Sequence, residues 1–365
     1  MKRFKPEIRA AISFLSIRIF AFLTLLTVAR IKGVSFGHIF QRWDAQWYRR
    51  IAEGGYGQVI IAPDGRHLAD YAFFPLFPLS ERYLHQISGL SFIASGIAIN
   101  IAASIIAALA IYKVIKEFAP ERVALITVAV WAALPIANVI NLAYSESIFT
   151  AFAAWSLYFS LKKSWIFAAM LASCAGLTRP TGLAVALSVI VAAGFELKAN
   201  SRNMRALAAI AIAPVGWIIY IAWVGIKLGK WNGYFTVTDG WGNSIDGGYS
   251  FAKWIVKFFT EGDFLSGGLV LVALTGLTFL ALKLWKLKIP IPLMVYSTVI
   301  ILLAFSTSGY FGSKPRYLLP VFPLLLPISF WLRRKSREIQ VLTFSIFGVL
   351  SAVFGALWLT GSGPL

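Results

Sequence analysis

The residues best suited to chemistry lie in one polar stretch, 42–56, which is followed by an aromatic and proline-rich stretch, 73–78. The first stretch combines carboxylates, cations and aromatic side chains in a chain that is otherwise mostly apolar. Membrane-spanning helices carry free charges only at a high cost in free energy, so chemistry needs a place outside them. We therefore take this stretch as the candidate active site, with Asp44 at its centre as a catalytic carboxylate.

The stretch around Asp44 has the pattern of an amphipathic helix from about Phe40 to Ala52. Trp43 and Trp47 share its apolar face, and charged side chains lie opposite. This pattern indicates a helix in the plane of the membrane interface, with Asp44 at the edge of the apolar stripe, close to lipid-linked substrates. The alternative is that Asp44 only caps the helix and that the tryptophans only anchor it.

Arg179 and Arg316 each lie beside a proline at the predicted outer end of a span. Positive charges are sorted to the cytoplasmic side, so an arginine in this place needs another explanation. A guanidinium group can bind phosphate through two parallel hydrogen bonds, which predicts a phosphate-binding role. The alternative is that both side chains extend to lipid headgroups. Glu146, at the start of another span, either complements the helix dipole or acts in the site.

Supporting candidates come from the same predicted side of the membrane. They are Arg42, Glu53, His67, Asp70, Glu146 and Lys314. His67 and Asp70 follow a turn and are candidates for metal ligands or a proton relay, or else ordinary polar loop residues, since no compact metal-ligand spacing surrounds them. A divalent metal is therefore left open. The stretch 73–78 is either a wall of the site or interfacial packing.

The composition places these residues in a membrane protein. Of the 365 residues, 59% are hydrophobic and the mean hydropathy is +0.75, which is too apolar for a soluble domain. Apolar windows predict a multi-pass, all-α protein. The eleven predicted spans are roughly 11–29, 92–112, 123–141, 145–161, 164–178, 181–197, 206–226, 264–282, 290–308, 317–332 and 340–360. The fifth and sixth are short, so that region is alternatively re-entrant or broken.

The net charge of +19 does not indicate nucleic-acid binding, because the basic residues are distributed according to the predicted membrane topology. Nineteen of the 34 basic residues lie on segments that are cytoplasmic if the amino terminus is inside. Outside the first loop, only seven lie on the outer segments, and this bias sets the predicted orientation. We expect contacts with anionic lipids and none with nucleic acid.

The whole chain, 1–365, is predicted to be one integral membrane domain. Its long connections lie outside: a first outer loop at 30–90 that carries the candidate site, and a second at 227–263. The inner connections are short and basic. This asymmetry favours an enzyme on the outer face over the alternative, a lipid or polysaccharide transporter, whose functional groups should lie near the membrane midplane. A structural scaffold, the third hypothesis, gives the Asp44 cluster no role.

The chain resembles the GT-C superfamily of integral-membrane glycosyltransferases, and within it bacterial relatives of the phosphatidylinositol-glycan class V mannosyltransferases. Several blocks occur in the family's order from about residue 40 to 325. They are Arg42-Trp43-Asp44, Trp47-Tyr48, Ile51-Ala52-Glu53-Gly54-Gly55-Tyr56, Phe73-Phe74-Pro75-Leu76-Phe77-Pro78, Tyr144-Ser145-Glu146-Ser147, Thr178-Arg179-Pro180-Thr181-Gly182 and Arg316-Tyr317-Leu318-Leu319-Pro320.

The resemblance implies inverting transfer of a sugar, mannose in this family, from a polyprenyl-phosphate donor on the outer face of the plasma membrane. Asp44 would be the catalytic residue, and Arg179 and Arg316 would face the donor phosphate. The chain lacks an Asp-x-Asp or Asp-Glu pair near Asp44, so metal dependence does not carry over. A bacterial cell lacks GPI anchors, so the acceptor is open between glycan, lipid and protein. Glucose, galactose and arabinose are alternative sugars.

Overall fold

The computed structural model describes residues 5–361 and is built almost entirely of helices. The α-helices are α1 (Pro6–Ile31), α2 (Phe36–Phe40), α3 (Asp44–Gly54), α4 (Leu76–Ser88), α5 (Phe92–Lys116), α6 (Glu121–Ala132), α7 (Glu146–Leu161), α8 (Trp165–Gly176), α9 (Gly182–Ala199), α10 (Met204–Ile212), α11 (Val215–Leu228), α12 (Gly233–Gly240), α13 (Tyr249–Thr260), α14 (Phe264–Lys286), α15 (Ile291–Ser306), α16 (Lys314–Leu318), α17 (Leu326–Arg333) and α18 (Arg337–Thr360). One antiparallel hairpin, β1 (Val59–Ile61) and β2 (His67–Ala69), lies in the first outer loop.

The predicted all-α membrane fold is confirmed, but the count of eleven spans is not. Within residues 5–361, six helices are long and apolar enough to cross a membrane; α10 and α11 count as one of them. The number rises to eight if each of two bent pairs is one span. Two further apolar helices, α8 and α15, have 12 and 16 residues. Hydropathy windows therefore predicted continuous spans where several segments are short or broken.

The two bent pairs lie where the sequence predicted straight spans at 123–141 and 317–332. Helix α6 ends at Ala132, and a short 3-10 helix, Pro135–Asn141, continues at an angle of 76°. In the second pair, the angle between the two helical segments, Phe311–Leu318 and Phe322–Arg333, is 81°. Pro320 lies between them. Each break coincides with a proline, Pro135 in the first pair and Pro320 in the second. Proline interrupts a helix because it has no backbone N–H and clashes with the preceding turn.

Arg18, a buried residue of α1, contacts the first of these breaks. Its Nη1 donates to the carbonyl oxygen of Ala132 at 3.2 Å, and its Nη2 donates to Oδ1 of Asn138 at 3.3 Å. The last carbonyls of a helix have no partner within that helix. The buried guanidinium therefore supplies donors where the backbone ladder of α6 stops.

The amphipathic helix predicted at Phe40–Ala52 is displaced, since α2 ends at Phe40 and α3 begins at Asp44. Its apolar face packs against protein. Trp47 stacks on Phe73, with ring centroids 5.6 Å apart, and meets Trp241 of the second outer loop at 5.1 Å. Trp47 is therefore buried within the protein. The contact joins the two outer loops next to Asp44.

The orientation set by the charge bias stays a prediction and has a direct test. Reporter fusions after residues 60, 200 and 245 should report outside, inside and outside. Position 60 lies in the hairpin of the first loop, 200 follows α9, and 245 lies between α12 and α13. An inside signal at position 60 would reverse the assignment of every loop.

Candidate active site

Four charged side chains meet at one end of the helices. Nη2 of Arg316 lies 2.5 Å from Oδ2 of Asp44 and 2.7 Å from Oε1 of Glu146. Nε of Arg316 also donates to Oε1 of Glu146, at 2.9 Å. Nη1 of Arg179 lies 2.7 Å from the same oxygen. We call Asp44, Glu146, Arg179 and Arg316 the charge cluster.

Two members of the charge cluster begin helices, and the other two lie in short segments that connect helices. Asp44 is the first residue of α3, and Glu146 is the first residue of α7. A carboxylate in the first turn is favoured by the partial positive charge of the helix N-terminus. Arg179 lies in the turn between α8 and α9, and Arg316 lies in the short helix α16, each beside a proline.

Burial distinguishes the members of the charge cluster. Glu146 is fully buried, and both arginines are at least 90% buried. The side chain of Asp44 is 27% exposed, so it is the carboxylate that solvent or a substrate can reach. Buried charges need partners, and here two carboxylates compensate two guanidinium groups. The cluster is therefore held together as one unit with a single accessible carboxylate.

A layer of hydroxyl and aromatic groups surrounds the charge cluster. Nη1 of Arg179 donates to Oγ of Ser145 at 3.1 Å, and Ser145 shares a hydrogen bond of 2.7 Å with the hydroxyl of Tyr48. Burial raises the pKa of Tyr48, so this hydroxyl stays protonated near neutral pH. Cζ of Arg316 lies 4.6 Å from the ring centroid of Tyr144.

Sequence reasoning did not assign Tyr48 or Tyr144 to the site and treated Ser145 only as a cap. The signal available was the polar run from Tyr144 to Ser147 at a span end, beside the already suspected Glu146. Nothing in the sequence places Tyr48 against Ser145, because the two are 97 positions apart. This contact depends on how α3 packs against the start of α7.

Arg42 lies next to the charge cluster without being part of it. Its Nη2 donates to the carbonyl oxygens of Leu359 and Gly361, at 3.1 and 3.3 Å, at the end of α18. Its guanidinium stacks over the ring of Trp43 at 3.8 Å. Trp43 has a φ of 54°, which a non-glycine residue rarely adopts, so these contacts hold a strained residue directly before Asp44.

The other supporting candidates have partners outside the cluster. Glu53 is exposed and lies 3.9 Å from Arg49, and His67 is exposed on β2. The carboxylate of Asp70 accepts hydrogen bonds from the backbone N–H groups of Gly57 and Gln58; burial nevertheless raises its pKa. Nζ of Lys314 donates to the carbonyl oxygen of Thr307 at 2.6 Å. Asp70 and Lys314 thus each form hydrogen bonds with the backbone of a loop, which they stabilise.

No ligand set for a metal can be assigned from the residues in place. Between residues 5 and 361, no group of three or more histidine, cysteine, aspartate and glutamate side chains is arranged to hold a metal ion. Asp44 and Glu146, the two carboxylates of the charge cluster, both bind the guanidinium of Arg316. The alternative in which His67 and Asp70 are metal ligands therefore has no geometric support.

The chain matches no protein-family model and no curated protein. Among solved structures it is similar to ArnT from Cupriavidus metallidurans bound to undecaprenyl phosphate, with 16% identity over 90% of this chain and 62% of that one, and a TM-score of 0.53. The apo state of ArnT gives a TM-score of 0.52 at 16% identity, over 89% and 62% of the two chains.

An oligosaccharyltransferase of Archaeoglobus fulgidus, in complex with Zn and sulfate, gives a TM-score of 0.50 at 12% identity, over 99% of this chain and 54% of that one. The chain thus spans between half and two thirds of the length of these proteins. At such low identity the similarity shows the fold. The protein therefore has the same all-α, multi-pass membrane fold as these structures.

Proposed function

We propose that this protein is a membrane glycosyltransferase that moves a sugar from a polyprenyl-phosphate donor to an acceptor hydroxyl. The observation that carries the proposal is the charge cluster, in which one accessible carboxylate, Asp44, is bound to a buried guanidinium, Arg316. The reaction needs a base and a group that stabilises a departing phosphate, and these two side chains are such a pair. The GT-C fold supports this reaction class.

In the proposed step, Asp44 takes the proton from the acceptor hydroxyl while that oxygen attacks the anomeric carbon. The bond between the anomeric carbon and the phosphate oxygen breaks, and polyprenyl phosphate leaves with both electrons of that bond. A single displacement inverts the anomeric configuration. Asp44 lies at the start of α3, where its carboxylate is both reachable and oriented by Arg316. Proton transfer by such a positioned group contributes about 10²- to 10⁴-fold to the rate.

Arg316 links donor binding to the base in this proposal. A donor phosphate would compete with Asp44 for the guanidinium of Arg316. Donor binding would therefore weaken the 2.5 Å pair and free the carboxylate of Asp44 to accept a hydrogen bond from the acceptor hydroxyl. Arg179 contacts Glu146 and Ser145 through Nη1, so these contacts leave its other nitrogens for the phosphate.

Arg179→Lys and Arg316→Lys should weaken donor use more than acceptor use. Lysine keeps the positive charge but loses the planar fork that binds phosphate through two hydrogen bonds. We expect a raised KM for the donor in each lysine variant, and a larger defect in the alanine variants. Steady-state kinetics with each substrate varied separately, at matched protein levels, measures this. Unchanged donor kinetics in both alanine variants would remove the arginines from the phosphate site.

The sugar and the acceptor follow from the sequence resemblance alone. The proposed donor is polyprenyl-phosphate mannose and the acceptor a lipid, glycan or protein, used on the outer face of the plasma membrane. The solved structure of ArnT with undecaprenyl phosphate supports a polyprenyl-phosphate donor for this fold.

A transporter remains the alternative function. The position of the charge cluster at helix ends favours the enzyme, because transport sites lie near the midplane.

A panel of polyprenyl-phosphate sugars tests the proposed function directly. Purified protein is incubated with the mannose, glucose, galactose and arabinose donors and a membrane extract as the source of acceptors. Mass spectrometry then identifies the product and its sugar. We expect one donor to give a glycosylated product and free polyprenyl phosphate. Transport of an intact lipid-linked sugar, with no donor consumed, would favour the alternative.

A further inference from the structure

Helix α3 begins at Asp44 without the side-chain cap that normally fixes the start of a helix. Its N-cap residue is Trp43, whose side chain bonds no N–H group of the first turn. Serine, threonine, aspartate and asparagine usually occupy this position, because a side-chain oxygen can pair with an N–H group that has no partner within the helix. The start of α3, and with it the place of the accessible carboxylate, is therefore set by contacts from elsewhere in the chain.

The backbone of Trp43 is strained. Its φ of 54° and ψ of −131° are the mirror image of an extended conformation, which glycine adopts readily and residues with a Cβ adopt rarely. The left-handed residue that often follows the last turn of a helix has a positive ψ, so Trp43 differs from an ordinary turn residue. Strain of this kind persists where the surrounding structure imposes it, and it clusters at active sites.

The residues on both sides of Trp43 are fixed by partners that are distant in the sequence. On one side, Nη2 of Arg42 donates to two carbonyl oxygens at the end of α18, at 3.1 and 3.3 Å. Carbonyl groups at a helix C-terminus lack partners within the helix and attract cations. On the other side, Oδ2 of Asp44 lies 2.5 Å from Nη2 of Arg316. Trp43 therefore has to join two anchored residues, and the guanidinium of Arg42 also covers its ring.

We propose that Arg42 is a positioning residue, which acts through Trp43 to place the carboxylate of Asp44 for proton transfer. The proposal rests on the proposed function, in which Asp44 is the base. The end of α18 holds the guanidinium of Arg42, and Arg42 forces Trp43 into the conformation from which α3 begins. A displacement of about 1 Å in a catalytic group can lower a rate about a hundredfold. Arg42 therefore affects the rate without contacting either substrate.

Two substitutions of Trp43 test the strain without using the reaction. Trp43→Ala and Trp43→Gly both remove the ring, but only alanine keeps a Cβ that conflicts with the positive φ. We expect the glycine variant to unfold at a higher temperature than the alanine variant in detergent. At an ordinary position the order is the reverse, because glycine gives the unfolded chain more conformational freedom.

The same comparison in an Arg42→Ala background tests whether Arg42 imposes the strain. Without Arg42, position 43 is anchored on one side only, so its backbone can relax. The advantage of glycine over alanine at position 43 should then disappear, because residues that act as one unit are not additive. Arg49→Ala is the matched control, since it removes another arginine, 40% exposed, from α3. In that background the advantage of glycine should remain.

Steady-state kinetics of Arg42→Ala measures the effect on the base. At equal folded concentration we expect kcat to fall about ten- to a hundredfold with an unchanged donor KM, because Arg42 positions Asp44 and does not bind the phosphate. Arg49→Ala should keep both values. A loss of stability alone would reduce the amount of folded protein and leave kcat per folded molecule unchanged.

Three results would overturn the proposal. A higher unfolding temperature for Trp43→Ala than for Trp43→Gly would show that position 43 is not strained. An advantage of glycine that persists in the Arg42→Ala background would show that Arg42 does not impose the strain. A normal kcat for Arg42→Ala would separate Arg42 from the base. Wild-type protein that consumes no donor would instead contradict the proposed function, and the unfolding temperatures would still decide whether Arg42 holds Trp43.

Discussion

Replacing Asp44 by asparagine should lower kcat by about two to four powers of ten. Asparagine keeps the volume of the side chain and an oxygen that can accept from Arg316, but it cannot take a proton from the acceptor. The side chain of Asp44 is partly exposed, so losing its charge should disturb the fold little. The measurement is kcat with a saturating donor and acceptor, alongside the thermal stability of each variant.

Glu53→Gln is the matched control for this experiment. Glu53 belongs to the same helix, α3, but it is exposed and contacts only Arg49 among the ion pairs described. We expect near-normal turnover for this variant. If Asp44→Asn also turned over normally, another carboxylate would be the base, and Glu146 would be the first to examine because it shares Arg316.

Glu146→Gln should be the most damaging change to stability within the charge cluster. Glu146 is fully buried and is the carboxylate that both arginines contact. Without its charge, both arginines lose a carboxylate that they contact, while Arg316 keeps its contact with Asp44. Removing one partner of a buried ion pair costs about 3–5 kcal/mol, because it leaves an uncompensated buried charge. Thermal unfolding of the detergent-purified protein measures the loss.

A double variant separates this electrostatic effect from a packing defect. In Glu146→Gln/Arg179→Gln the uncompensated guanidinium of Arg179 is gone, so part of the lost stability should return. Asp44→Asn should cost less stability than Glu146→Gln, since solvent reaches Asp44. Equal stability of Glu146→Gln and the wild-type protein would contradict the buried ion network.

The sequence singled out the residues of the charge cluster but not how they pair. Asp44, Arg179 and Arg316 stand out because charged residues beside prolines and aromatics at span ends are unusual in an apolar chain. Their partners could not be predicted, since Arg316 and Glu146 are 170 positions apart and a hydropathy pattern carries no information on such contacts. The phosphate-binding role was therefore inferred for free arginines, whereas both are bound to Glu146.

The fold was predictable where long apolar windows are uninterrupted, as in α1, α5 and α18. It was not predictable at Pro135 and Pro320, because apolar windows extend across a proline that breaks the helix. The sequence also could not predict whether the apolar face of α3 points toward lipid or toward protein. The apolar stripe that holds Trp47 would be identical whether it faced lipid or protein, and only the aromatic rings of Phe73 and Trp241 decide the outcome.

In the proposed reaction, Asp44 acts as the base in sugar transfer from a polyprenyl-phosphate donor. The most direct test is the release of polyprenyl phosphate from a labelled donor by wild-type protein and by Asp44→Asn at equal folded concentration. We predict acceptor-dependent release by the wild-type protein and release at least about a hundredfold slower by Asp44→Asn. Release at the same rate by both proteins, or none from any donor of the panel, would contradict the claim.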